Sequence, residues 1–270
     1  MSHIHIPDGV LPLWLWGLGW LVTLALVGIC GRVAERTDAR RRVPLVAVVS
    51  ALMIVAMSSE IVPLAYHVNL TVIGGVLLGP VLAPIAAFIV EIVLALLGHG
   101  GVTVLGLNTV VVAAEMVLGW ALFRGLVALA GRARVRPAAF AATALTLAAT
   151  TTLLLGIVAL GGAGAANRET GALDPSTLRF ENPLASGVFS VGLFSGGEHE
   201  EPEGDAHAEE GGLSITRFAA VVFTLGPFGW VLEGLLTAWL LGYVARVRPG
   251  LLWSTRVPGR ASVRGDGEVS

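Results

Sequence analysis

Six apolar stretches dominate this chain, and their lengths restrict it to a lipid environment. Leu11–Cys30, Val43–Pro63, Gly106–Phe123, Pro137–Gly161 and Phe218–Val244 each come close to or exceed the roughly 20 mostly apolar residues a membrane-spanning helix needs. The sixth, Val68–Leu97, is too long for one simple span and holds Gly74, Gly75, Gly79, Pro80 and Pro84. It reads as two short helices hinged at Gly79-Pro80. Charged residues make up 13% of the chain and hydrophobic ones 55%. Soluble domains carry about a quarter charged residues, so the fold class expected is an all-α integral membrane protein.

Arginine position sets the expected orientation, because basic loops stay in the cytoplasm. Arg32, Arg36, Arg40, Arg41 and Arg42 fill the first loop, and Arg124, Arg132, Arg134 and Arg136 fill another. Arg246, Arg248, Arg256, Arg260 and Arg264 line the C-terminal segment. Parity then calls for an even number of crossings between Leu64–Asn69 and Gly98–Leu105, which two short helices supply. About seven transmembrane helices, N-terminus out and C-terminus in, fit every basic loop. A re-entrant hairpin at Val68–Leu97 gives five spans with the same signs and stays open here. The expected organisation is one membrane domain over 1–252, with 162–216 as an outer acidic, histidine-containing loop and 253–270 as a disordered cytoplasmic tail. The location expected is the cell (cytoplasmic) membrane, with the lipid bilayer as surroundings and no nucleic acid as partner.

Several chemistries are excluded. All 17 basic residues are arginine, so a phosphate-binding loop of the Gly-x-x-x-x-Gly-Lys type is impossible and the chain cannot hydrolyse ATP that way. A single cysteine, Cys30, rules out an internal disulfide and a cysteine-rich metal cage. No basic opening region or Ala-x-Ala site marks a cleaved signal peptide.

The polar residues of interest cluster at the start: Met1-Ser2-His3-Ile4-His5-Ile6-Pro7-Asp8-Gly9. An α-amine, the next backbone nitrogens and a nearby imidazole can close fused chelate rings around one small cation. Such a near-planar nitrogen set suits Ni(II), Cu(II) or Co(II) better than Mg or Ca. His3 can complete four nitrogens with Met1 and Ser2. If Met1 is trimmed, Ser2-His3 offers three and another imidazole must supply the fourth. The topology places His3, His5, His67, His99, His199 and His207 all on the outer face. His67, in Tyr66-His67-Val68-Asn69-Leu70-Thr71, then falls in the outer turn level with the N-terminus. The plain alternative is that these histidines are solvated surface residues.

Three further blocks accompany these histidines: Gly74-Gly75-Val76-Leu77-Leu78-Gly79-Pro80, Gly98-His99-Gly100-Gly101-Val102-Thr103-Val104-Leu105-Gly106-Leu107-Asn108-Thr109, and Glu233-Gly234-Leu235-Leu236-Thr237 with Val247-Arg248-Pro249-Gly250-Leu251-Leu252. With His5-Ile6-Pro7-Asp8-Gly9 and His67, they resemble the CbiM/NikM-type cobalt and nickel capture subunits of energy-coupling-factor transporters. The resemblance implies a seven-helix capture protein without ATPase activity or resident cofactor. Its cargo is Co(II) or Ni(II). Its partners are a transmembrane scaffold component, cytoplasmic ABC ATPases and a small accessory membrane subunit. It also implies metal ligation by the N-terminal amine, the following backbone nitrogen, the adjacent imidazole and a later loop histidine. His67 matches the loop histidine. Met1, Ser2, His3 and His5 share the N-terminal part: by alignment the ligand is His5, by distance from the amine it is His3. Asp8, His99 and Asn108 are candidates for the surrounding shell, with His99-Gly100-Gly101 as a lid and Asn108 more often a cap or interhelical bond.

The run from Glu198 to Glu210 is acidic and reads as a solvated loop, and it lacks His-Glu-x-x-His. Glu91, Glu115 and Glu233 fall inside apolar helices, where a carboxylate is costly and is either functional or bonded to a neighbouring helix. Trp14, Trp16 and Trp20 suit an interfacial anchor. Two other functions are weighed against capture. An intramembrane metal-dependent hydrolase needs a catalytic water and a general base beside the metal. A secondary permease calls for inverted repeats, and none is evident.

Overall fold

The computed structural model describes residues 11–37, 39, 42–58, 60–61, 66–98, 100–166 and 215–253. Met1, Ser2, His3, His5, Asp8, His99, His199 and His207 lie outside these residues, as do most of the expected 162–216 loop and all but the first residue of the expected 253–270 tail. The described chain is helical: α1 (Leu13–Arg36), α2 (Val43–Ser58), α3 (Thr71–Leu96), α4 (Leu105–Ala130), α5 (Val135–Ala166), α6 (Ile215–Val247) and the short α7 (Pro249–Trp253). Between α2 and α3, β1 (Glu60–Ile61) pairs antiparallel with β2 (Tyr66–His67), setting Glu60 opposite His67. Five helices, α1 and α3 to α6, are long and apolar enough to cross a bilayer. At 16 residues, α2 is shorter.

The bundle is built the way lipid demands. Its outside is apolar: Leu18, Leu21 and Leu24 of α1, Leu145 and Leu160 of α5, and Phe228, Leu235 and Trp239 of α6 are exposed. Lipid supplies no hydrophobic drive between helices, so association rests on close packing and interhelical hydrogen bonds. Small residues provide the packing. A Cβ on Gly75 would overlap the Met116 backbone of α4, and one on Gly106 would come within 2.5 Å of the Trp20 nitrogen of α1. Two bonds lock the α1–α4 contact: Thr23 Oγ1 donates to the Gly106 carbonyl at 2.6 Å, and Trp20 Nε1 to the Thr103 carbonyl at 2.9 Å. The core lies where Ala83, Ala86, Ala87, Val90 and Leu94 of α3 meet Val49 and Met53 of α2 and Val112, Ala113 and Met116 of α4.

The pair of short helices expected around Gly79-Pro80 is present as two unequal limbs of α3. Gly79 has φ 76° and ψ 175°, outside helical space and open to glycine because it has no Cβ. Pro80 begins the second limb, where its missing N–H costs least. A straight α3 running antiparallel to α4 would put Thr71 beside the far end of α4. Instead Thr71 meets Glu115, the eleventh residue of α4. The chain therefore folds back at Gly79, and the first limb, about 12 Å long, lies across the middle of the bundle. The fold-back sits at the arginine-rich end. There Arg42, between α1 and α2, donates to the Leu77 carbonyl at 2.6 Å, placing a cation on the negative end of the first limb. Burial lowers the Arg42 pKa from its usual value.

Most of the other described arginines gather at the same end, Arg217 in the first turn of α6 being the exception. Arg36 closes α1 and Arg246 lies in the last turn of α6. Arg132 and Arg134 form a 3-10 turn leading into α5. Both Arg124 and Arg132 lie over the Trp253 ring of α7, at 6.0 and 4.9 Å from its centroid, and Arg124 Nη1 donates to the Leu252 carbonyl.

Candidate metal-capture site

His67 is placed by β2, which its pairing with β1 holds as an extended segment running into α3. Two residues on, Asn69 is 3% exposed and engages three parts of the fold. Its backbone N–H donates to Glu233 Oε1 of α6 at 3.1 Å. Its side-chain Nδ2 donates to Glu115 Oε1 of α4 at 2.5 Å. Its Oδ1 accepts from the Thr71 N–H at 3.1 Å, an Asx turn that satisfies one of the open donors at the start of α3. The Thr71 hydroxyl also donates to Glu115 Oε1, and Thr150 of α5 donates to Glu115 Oε2 at 3.2 Å. Helices α3, α4, α5 and α6 thus converge on one polar joint in an apolar bundle.

Energetics explain why these polar groups occur together. An acidic side chain at the centre of a membrane helix costs roughly 2.5–3.5 kcal/mol on insertion scales. A hydrogen bond to a charged group contributes about 1.5–3 kcal/mol. The two donors on Glu115 Oε1 already match that cost, and Thr150 adds a third. Of the three intramembrane carboxylates, Glu115 and Glu233 therefore bond to a neighbouring segment, the alternative the sequence left beside a functional role. Glu91 is also buried.

The joint lies deep. Glu115 is about 15 Å along α4 from Leu105 at 1.5 Å per residue. The backbone of His67 lies within about 7 Å of Asn69, two residues away. The sequence sets this stretch in a turn at the outer surface. The structure sinks its continuation into the bundle, because the first limb of α3 is too short to start at the helix ends.

The start of α1 lies at the same end as the glycine-rich link into α4. Leu11 and Leu15 pack with Val104 and Leu107 of that region and with Leu154 of α5. Gly98 and Gly100 in the link have φ of 83° and 102°, conformations that favour glycine. Asn108 is buried in the first turn of α4, its N–H donating to the Val104 carbonyl at 3.0 Å, so it stands in the helix rather than in the link. Among the described residues no three His, Cys, Asp or Glu side chains stand together to hold a metal. The structure thus gathers the start of α1 and the head of α4 at one end of the bundle, and sets the backbone of His67 two residues from the deeper joint. Sequence reasoning missed Asn69, Thr71 and Thr150. Glu115 and Glu233, set in apolar helices, were the available signal that a polar partner must exist.

These features define a multi-pass helical membrane protein with a kinked central helix and a buried polar joint at the mouth of that helix. The model of the CbiM family, the cobalt uptake substrate-specific transmembrane region, matches residues 5–251. The chain belongs to this family of transition-metal uptake proteins. It is 31% identical over 264 residues to a Halobacterium salinarum protein named as a cobalt transport protein CbiM, covering 92% of this chain and 96% of that one. It is 36% identical over 126 residues to a Haloquadratum walsbyi protein named for metal transport. That match covers 45% of this chain and spans 58% of the relative's length. Two crystal structures titled as a transition metal transporter share the fold. One, a truncated form, has TM-score 0.64 at 17% identity, covering 90% of this chain and 99% of its own. The other has TM-score 0.66 at 16% identity, covering 95% and 100%.

Proposed function

We propose that this chain captures Co(II) or Ni(II) at the outer face of the cell membrane and passes it inward as the substrate-binding subunit of an ATP-driven energy-coupling-factor transporter. The ligands proposed are the amine and backbone nitrogens of Met1 and Ser2, the imidazole of His3 or His5, and His67. Asp8, His99 and Asn108 stand as candidates around them. A transmembrane scaffold, ABC ATPases and a small accessory membrane subunit complete the machine, since a chain without lysine has no phosphate-loop lysine of its own.

One observation carries this reading. The segment that bears His67 runs directly into a joint pinned to α4 and α6. A histidine on a pinned segment can meet a cation in a defined geometry, whereas one on a free surface turn must be ordered first. Membership of a metal-uptake family supports the cargo class.

The test is titration of the purified chain with Ni(II) and Co(II). His67→Ala is expected to weaken binding by more than about tenfold, or about 1.4 kcal/mol. An unchanged curve overturns the ligand assignment. In vesicles containing this chain alone, ATP should not stimulate uptake, and robust ATP-driven uptake without partners contradicts the subunit role.

A further inference from the structure

We infer that Asn69, held between Glu115 and Glu233, is a positioning residue for the metal ligand His67, so that two carboxylates buried in the membrane helices act on the cargo without touching it. The inference rests on the reading of His67 as a ligand.

Three observations carry it. First, Asn69 is two residues from His67, and the short β1–β2 pair also holds that segment. Second, every hydrogen-bonding group of Asn69 that the structure describes as bonded faces a different element: N–H to α6, Nδ2 to α4, Oδ1 to the first turn of α3. Three bonds in three directions fix both the position and the twist of the backbone there. Third, Glu115 gathers Asn69 and Thr71 from the start of α3 and Thr150 from α5, so shifting either helix moves the joint. A planar nitrogen site tolerates little displacement of an imidazole, and outer contacts that orient a ligand commonly set metal affinity by 10–100-fold. Holding a loop in place inside a bilayer needs groups that find no competing water. Carboxylates accepting from an amide and a hydroxyl meet that need.

The roles of charge and position separate by substitution. Glu115→Gln keeps the side-chain shape and a carbonyl oxygen that can accept from Asn69 Nδ2 and Thr71, but removes the charge and the acceptor that meets Thr150. Glu115→Ala removes both. Asn69→Ala removes the side-chain links to Glu115 and Thr71 while sparing the backbone bond to Glu233.

The experiment titrates the full-length purified chain and these variants with Ni(II) alone, recording affinity and the ligand-field absorption of the bound ion. Each variant is first checked for monodisperse elution in detergent. Asn69→Ala and Glu115→Ala are expected to bind at least about tenfold more weakly, with a shifted ligand-field band. Glu115→Gln should stay within about threefold of the parent with the parent's band. Where Asn69→Ala aggregates, Thr71→Val replaces it; it removes the hydroxyl donor to Glu115 and should shift the band in the same direction. A parent-like band in Asn69→Ala, or in its replacement, overturns the inference. So does a Glu115→Gln loss equal to that of Glu115→Ala, which would make charge the operative property. His67→Ala separates the two levels. If it leaves affinity intact, the underlying reading fails and this one with it. If it abolishes binding while Asn69→Ala and Glu115→Ala keep the parent's band and affinity, only the positioning role is lost.

Discussion

Replacing Gly106 with alanine tests the packing of α1 against α4. The added methyl would stand 2.5 Å from the Trp20 nitrogen and 2.7 Å from both the Gly19 carbonyl carbon and Trp20 Cα, all backbone atoms of α1. Backbone cannot swing aside as a side chain can, so α1 must move away by about 1 Å to restore ordinary contact, an overpacking cost of about 1–3 kcal/mol. That shift also lengthens the 2.6 Å bond from Thr23 to the Gly106 carbonyl and the 2.9 Å bond from Trp20 to the Thr103 carbonyl beyond useful range. Each lost bond adds about 1 kcal/mol. The sum, about 3–5 kcal/mol, corresponds to a fall in Tm of roughly 6–20 °C at 2–4 °C per kcal/mol. The assay is thermal unfolding of purified protein in detergent, with Gly17→Ala as the control. A Cβ at Gly17 meets nothing within 4 Å, so that change should leave Tm unchanged or slightly raised through helix propensity. Equal melting of the two variants would refute the claim that α1 and α4 pack backbone to backbone.

Three further outcomes are expected. Gly79→Ala meets no neighbouring atom, so its cost should be backbone strain alone, about 1–3 kcal/mol, seen as a modest loss of Tm; a stabilised variant would mean the fold-back does not need a left-handed residue. Metal capture should weaken as pH falls from about 8 to 6, because the amine, the backbone nitrogen and the imidazoles must shed protons to ligate. A flat pH profile in equilibrium titration contradicts nitrogen ligation. Adding several glycine or serine residues before Ser2 displaces the amine while keeping both imidazoles. If the amine ligates, tight binding is lost and His3→Ala hurts more than His5→Ala. Normal binding by the extended chain together with failure of His5→Ala assigns the ligand to His5.

The fold's outline was legible because its signals are local. Long apolar runs mark helices, arginines mark one end, and Gly79-Pro80 marks a break that no ordinary helix residue could make. The depth of the polar joint was not legible. It depends on Asn69 meeting Glu115 46 residues away and Glu233 164 away, and no periodicity records such a pairing. Glu115 and Glu233 announced that something polar must meet them, without saying what. The β1–β2 pair and α7 escaped notice for a different reason: two-residue strands and a five-residue helix are too short to carry a pattern. Cysteine, lysine and motif arithmetic removed whole classes of chemistry at no structural cost, whereas the choice between His3 and His5 turns on chain geometry that counting residues leaves open.

X-ray absorption at the nickel edge of the metal-loaded chain tests the capture site most directly. Capture by the amine, backbone nitrogens and imidazoles predicts a low-coordinate, near-planar shell of short nitrogen ligands with outer scattering from imidazole. His67→Ala should reduce that imidazole contribution. A six-coordinate oxygen shell, or a spectrum that His67→Ala leaves unchanged, would contradict it.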